Sequence, residues 1–137
     1  MKYFFLLLFL SALPASASTE YTYLHCTGST LLLSIYSETG KETVKDDIPY
    51  EVYLTLDEQN GRSRFGHAGS TWQKTGFSAD KISRKNLIPP YTDGYFMFEI
   101  NRSTGEFERE KSKNWMDIFT NHSLTTGICR VKTPNKF

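Results

Sequence analysis

The sequence predicts a small all-β domain, an antiparallel barrel or sandwich closed by one disulfide. Three features of the 137 residues indicate this fold class. One segment alternates apolar and polar side chains, glycine-containing turns separate the extended segments, and the chain has one early and one late cysteine. These features leave open whether the sheet forms a barrel or a sandwich.

The clearest strand runs from Ile48 to Asp57. Every second side chain in it is apolar, which is the pattern of a strand with one face in the core and one in water. We expect Val52 and Leu54 to be among the most buried residues. The Asn60-Gly61 pair that follows is a strong reversal signal and predicts a hairpin.

Two further hairpins are predicted. Residues 21–26 and 30–36 are rich in aromatic and β-branched side chains, and Thr27-Gly28-Ser29 between them is interpreted as a turn. Residues 95–100 and 106–110 form the other pair, with Gly105 at a left-handed position of the turn. On the returning strand alternate glutamates face solvent and Phe107 faces the opposite way.

Residues 114–120 are ambiguous. The spacing of Trp115, Ile118 and Phe119 predicts one short helix, although a strand fits the same residues.

Residues 1–17 have the pattern of a secretory signal peptide. Lys2 supplies the positive charge, Tyr3 to Leu13 form an apolar run too short to span a bilayer, and Ala15-Ser16-Ala17 offers the small residues that signal peptidase reads. We therefore expect a periplasmic or secreted protein without a stable membrane anchor, in which residues 18–137 form a single β-rich domain.

An exported chain reaches an oxidising compartment, where two cysteines usually pair. We predict a disulfide between Cys26 and Cys129. A reactive thiol at Cys26, beside His25, is the alternative.

Without Lys2 the chain has equal numbers of basic and acidic residues, 15 of each. Such a balance offers no global field that would attract nucleic acid or an anionic membrane surface. We therefore expect no nucleic-acid partner. We also expect a monomer, without cofactor or metal.

Two resemblances to known protein families also favour an exported, β-rich protein. Residues 100–105, Ile-Asn-Arg-Ser-Thr-Gly, and the late Gly127-Ile128-Cys129 resemble a pattern in small exported bacterial and phage-borne proteins of uncharacterised function. Residues 68–72 resemble the Ser-Gly-x-x-Tyr loop of the periplasmic inhibitors of c-type lysozyme, with Ala68 and Trp72 at the ends of the motif. The second resemblance implies a disulfide-closed β-barrel and a lysozyme-like enzyme as the partner.

The stretch from Gly66 to Trp72 is the predicted binding loop. Gly66 and Gly69 allow an unusual backbone path, His67 and Ser70 supply polar contacts, and Trp72 supplies an aromatic anchor. A β-bulge or tight turn in which Trp72 covers the core is the structural alternative.

Three functions are compatible with the sequence. The first is an exported, non-enzymatic binding or inhibitory protein, and the second is a small-ligand carrier, which the bulky inward side chains disfavour. The third is a hydrolase of unrecognised type. No catalytic residue is assigned, because none of the histidines lies in a recognised catalytic motif.

Overall fold

The computed structural model describes residues 20–66, 71–88 and 94–132. Within them nine strands form one antiparallel sheet and no helix occurs. The strands are β1 (Thr22–Tyr36), β2 (Glu42–Asp57), β3 (Arg62–Phe65), β4 (Gln73–Lys74), β5 (Gly76–Phe77), β6 (Lys81–Ile88), β7 (Gly94–Asn101), β8 (Glu106–Trp115) and β9 (Phe119–Lys132). The predicted all-β class is confirmed.

The sheet is a nearly closed barrel. Its order is β4-β3-β2-β1-β9-β8-β7-β6-β5. Every strand therefore pairs with its neighbours in the chain, except that β4 and β5 lie at the two edges, and β1 also pairs with β9. The two edge strands, β4 and β5, are separated in the chain by Thr75 alone. Because consecutive residues cannot lie far apart, the two edges of the sheet must come together.

One end and the middle of the barrel hold the apolar core. Its buried side chains are Leu24, Cys26, Leu54, Leu56, Ile82, Phe96, Phe98, Ile100, Phe107 and Cys129. Leu54 is 3% exposed, as the alternation predicts, whereas Val52 is half-buried and packs against the cluster.

The predicted disulfide is present. Cys26 and Cys129 are bonded to each other and occupy directly opposite positions of β1 and β9. The bond therefore fastens the first long strand to the last, across the pairing that joins the two halves of the sheet.

The turn predicted at Thr27-Gly28-Ser29 is wrong, because β1 continues through it. Gly28 lies opposite Gly127, and a Cβ atom on Gly28 would stand 2.0 Å from the carbonyl oxygen of Thr126. The inward rings of Tyr50 and Phe107, which pair in register with these glycines, contact each other at 5.9 Å between centroids. These glycines are therefore required for close approach of the strands.

The helix predicted over 114–120 is also wrong. β8 ends at Trp115, a three-residue turn follows, and β9 begins at Phe119. Met116 and Asp117 have φ angles of 49° and 58°, in the left-handed region that an α-helix excludes. Asn114 holds the turn, since its side chain accepts a hydrogen bond from the Asp117 amide and donates one to the Asp117 carboxylate.

The other two turns are as predicted. Residues 58–61 reverse the chain between β2 and β3, and Gly105 has a φ of 75° between β7 and β8. Phe107 is buried while Glu106 and Glu108 are exposed.

The predicted signal peptide lies outside the described residues, as do His67, Gly69 and Ser70 of the predicted binding loop. Nothing described forms a helix of the length and apolarity needed to cross a membrane.

Candidate functional site

Trp72 immediately precedes β4 in the chain, and its side chain packs on the outer face of β3. Along β3, Ser63 and Phe65 share the face of the core residues Leu56 and Leu54, so Arg62 and Arg64 point outward. Their guanidinium carbons stand 4.5 and 4.3 Å from the centre of the Trp72 ring. Such distances are favourable for cation–π attraction. Trp72 is thus half-buried and held by two arginines.

Tyr21 contacts the same indole. Its ring centroid lies 5.4 Å from that of Trp72, with the planes tilted by 49°. Trp72 therefore has contacts to side chains from two separate parts of the chain while part of its surface stays in solvent. These contacts fix the orientation of the indole ring.

Two polar residues are fully buried on the outer face beneath these arginines. Thr55 pairs in register with Arg64 and Asp57 with Arg62, and the two are 1% and 0% exposed. Asp57 accepts hydrogen bonds from the Nε of Arg62 at 2.7 Å and from the side chain of Asn60. Burial alone would raise the pKa of Asp57, but these hydrogen bonds and the Arg62 charge together lower it.

A second aromatic contact extends this surface along β1 and β2. The rings of His25 and Tyr53 stack at 4.6 Å with an interplanar angle of 10°, and the His25 Nε2 lies 2.7 Å from the Glu51 carboxylate. Arg130 pairs in register with His25 and is exposed. We call the side chains of Tyr21, His25, Tyr53, Arg62, Arg64 and Trp72 the Trp72 surface.

Both histidines in the described ranges lie beside a carboxylate. His25 pairs with Glu51, and the His122 Nε2 lies 3.5 Å from Glu110. Glu110 also accepts a hydrogen bond from the Tyr95 hydroxyl, which raises the pKa of Tyr95. In the described ranges no group of three or more His, Cys, Asp or Glu side chains could hold a metal ion.

Two arginines that were not predicted as site residues from the sequence lie inside the barrel. Arg84 is 9% exposed, and its guanidinium carbon lies 4.9 Å from the Phe65 ring centre and 5.3 Å from that of Phe96. Arg109 stands 5.2 Å from the Tyr50 ring and 5.1 Å from Phe96. Phe96 is therefore close to both guanidinium groups.

The sequence contains a signal for Arg109. Glu106, Glu108 and Glu110 alternate with Phe107 and Arg109, so a strand that exposes its glutamates places Arg109 on the face of Phe107. No comparable signal identifies Arg84.

Two depressions lie elsewhere on the described surface. A groove of about 500 Å³ is bordered by Glu99, Glu106 and Glu108 on β7 and β8. A smaller pocket of about 190 Å³ lies at the apolar end of the barrel, bordered by Leu24, Ile82 and the Glu58–Arg102 ion pair. The smaller pocket falls below the usual size of a ligand site.

The sequence predicted Trp72 as a contact residue, and in the structure its ring contacts Arg62, Arg64 and Tyr21. No sequence motif marks Arg62 and Arg64, and their contact with Trp72 depends on the fold that brings its ring over β3. Comparison of the chain with protein-family models, with curated proteins and with solved structures finds no match.

Proposed function

We propose that this chain is an exported, non-enzymatic binding protein that holds a macromolecular partner on the Trp72 surface. The observation that carries the proposal is the partly exposed indole of Trp72, whose ring contacts two guanidinium groups of one strand. Trp, Tyr and Arg are the residues most enriched among those that dominate binding energy. A side chain already fixed in place loses little entropy when a partner binds.

We also propose that the protein is exported, and two observations support this. The amino-terminal residues have the pattern of a signal peptide, and the Cys26–Cys129 bond is of a kind that persists in oxidising compartments. We propose the periplasm or the medium as the place of action.

The charge of the Trp72 surface favours a partner with an acidic recess. Arg64 has no acidic partner among the described residues, and Arg130 adds a further exposed cation nearby. A glycoside hydrolase carries a pair of carboxylates in its cleft, which is the charge that such a surface would complement. A lysozyme-like enzyme is therefore the first partner to test, in agreement with the resemblance of residues 68–72 to the lysozyme-inhibitor loop.

The test uses the mature, oxidised protein and c-type lysozyme, measured by surface plasmon resonance and by inhibition of cell-wall lysis. We expect Trp72→Ala to weaken binding by about 30-fold, the equivalent of about 2 kcal/mol. Arg64→Gln should also weaken it while leaving the ion pair of Arg62 with the buried Asp57 intact. Met116→Ala is the control, because Met116 is 82% exposed in the β8–β9 turn.

Urea denaturation of each variant separates lost contact from lost folding. Trp72→Ala should retain a cooperative transition and its disulfide. Wild-type protein that neither binds nor inhibits lysozyme would reject this partner, and capture from host secretions would then compare wild type with Trp72→Ala. Equal capture by both proteins would reject the Trp72 surface itself.

A further inference from the structure

The inner face of the barrel has one apolar end and one basic end. Arg109 pairs in register with Phe98 and Thr125, and Lys111 pairs with Phe96 and Ser123, so these cations share the face of the core. Among the described strand residues that share this face none is acidic, whereas the basic ones are Lys45, Arg84, Arg109, Lys111 and Lys113.

Arg84 is the most buried of these cations and is only partly satisfied. With its side-chain amide turned to suit its neighbours, Asn86 accepts hydrogen bonds from Arg84 Nε at 3.2 Å and from Nη2 at 3.1 Å. The buried Nη1 of Arg84 has no hydrogen-bond partner among the described residues, and neither has the buried Nε of Arg109.

A guanidinium group keeps its proton in proteins, so it cannot relieve burial by becoming neutral. The aromatic faces of Phe65, Phe96 and Tyr50 offset part of the desolvation cost of the two arginines. They accept no directed hydrogen bond from the free N–H groups of Arg84 and Arg109. An anion between these arginines would supply both the missing charge and the missing acceptors.

The residues around Arg84 and Arg109 indicate which chemical group should be attached to the anion. Phe65, Phe96 and Tyr50 present apolar ring surface beside the guanidinium groups, which fits a hydrocarbon or aromatic body. Towards the basic end the inner face becomes hydrophilic, with Thr30 hydrogen-bonded to Thr125 and Ser34 to Asn121 at 2.7 Å each. The half-buried Lys111 on this side would attract an anion from solvent.

We propose that the barrel interior binds a small amphipathic organic anion, whose carboxylate or phosphate group lies between Arg84 and Arg109 and whose apolar body packs on Phe96. This site is independent of the Trp72 surface, because its residues point to the opposite face of the sheet. The chain would thus carry a small molecule in addition to any partner that it binds outside.

The experiment uses the mature, oxidised protein and four defined probes, measured by isothermal titration calorimetry. Decanoate and decyl phosphate combine an anion with an apolar chain, decanol has the chain alone, and inorganic phosphate has the anion alone. We expect one molecule of decanoate or decyl phosphate to bind per chain, and the comparison of these two identifies the preferred head group. Decanol and inorganic phosphate should bind at least about tenfold more weakly, because each lacks one half of the recognised chemistry.

Arg84→Met and Arg109→Met test the site while nearly conserving side-chain volume. Each should weaken decanoate binding at least about tenfold, since each removes hydrogen bonds to a charged group. Both should keep the stability of the wild type, because replacing a buried charge by an apolar side chain is often neutral or stabilising. Arg130→Met is the control, since it removes the same charge from the exposed outer face.

Three results obtained with the wild-type protein would overturn the proposal. They are the absence of binding of both decanoate and decyl phosphate, equal affinity for decanol, and equal affinity for inorganic phosphate. Loss of binding in Arg130→Met to the same extent as in Arg84→Met would also overturn it, because the effect would then reflect net charge and not the site. A variant that fails to fold is replaced by the corresponding Lys substitution, which keeps the charge and removes the planar donor array.

Discussion

Replacing Gly127 by Ala should destabilise the protein far more than an ordinary strand substitution. A Cβ atom at this position would stand 2.0 Å from the carbonyl oxygen of Thr27, 2.7 Å from the Cα of Gly28 and 2.7 Å from the ring of Phe107. The first two contacts are to backbone, which cannot rotate away. The Cys26–Cys129 bond, two residues along both strands, also opposes their separation.

The expected loss is about 3 kcal/mol or more, the upper part of the range for overpacked interiors and well above the average substitution. Urea denaturation followed by tryptophan fluorescence measures it, with the disulfide verified in each sample. Gly76→Ala is the matched control, because its Cβ atom would meet only the side chain and carbonyl of Ser83, at 3.3 and 3.5 Å. A loss below about 1 kcal/mol for Gly127→Ala would refute the close-approach argument, since ordinary substitutions reach that value.

Three further results are expected. Leu54→Ala should cost about 2 to 5 kcal/mol in urea denaturation, because Leu54 is 3% exposed within the core, and a loss near zero would remove it from that core. Replacing both Cys26 and Cys129 by Ala should cost up to about 4.7 kcal/mol for a loop of this length, and thiol alkylation of the unreduced wild type should find no free cysteine. Asp57 has a lowered pKa in the folded state, so its contribution is complete above the ordinary carboxyl value and is lost as the pH falls below about 4. An Asp57→Asn variant should therefore differ most from wild type at neutral pH, and a difference that does not shrink in acid would contradict this reasoning.

The alternation of apolar residues predicted the inner face of β2 because one side of that strand packs on the core along much of its length. It could not predict that Thr55 and Asp57, on the opposite face, are also buried. Both residues pair in register with the arginines of β3, whose guanidinium groups contact the ring of Trp72, a residue distant in sequence. A residue pattern within one strand carries no information on what packs over its outer face.

Glycine was misinterpreted at Gly28 because it has two uses that the sequence does not distinguish. Gly105 serves a turn through its positive φ, whereas Gly28 has no positive φ and serves through the absence of a side chain. The register of β1 with β9 decides between the two, and this register becomes visible only when the distant strands are paired. The predicted disulfide between Cys26 and Cys129 is the one sequence feature that implied this pairing.

The near-zero net charge of the chain conceals a separation of charges across the sheet. Along β8 the glutamates face outward while Arg109 and Lys111 share the inner face with Phe107, so opposite charges of one strand lie on opposite sides of the barrel wall. Net charge governs long-range attraction of large partners, which meet only the outer face. A molecule small enough to enter the barrel would meet the inner cations instead. The balanced composition therefore argues against nucleic acid outside the barrel, but it does not bear on a small anion inside.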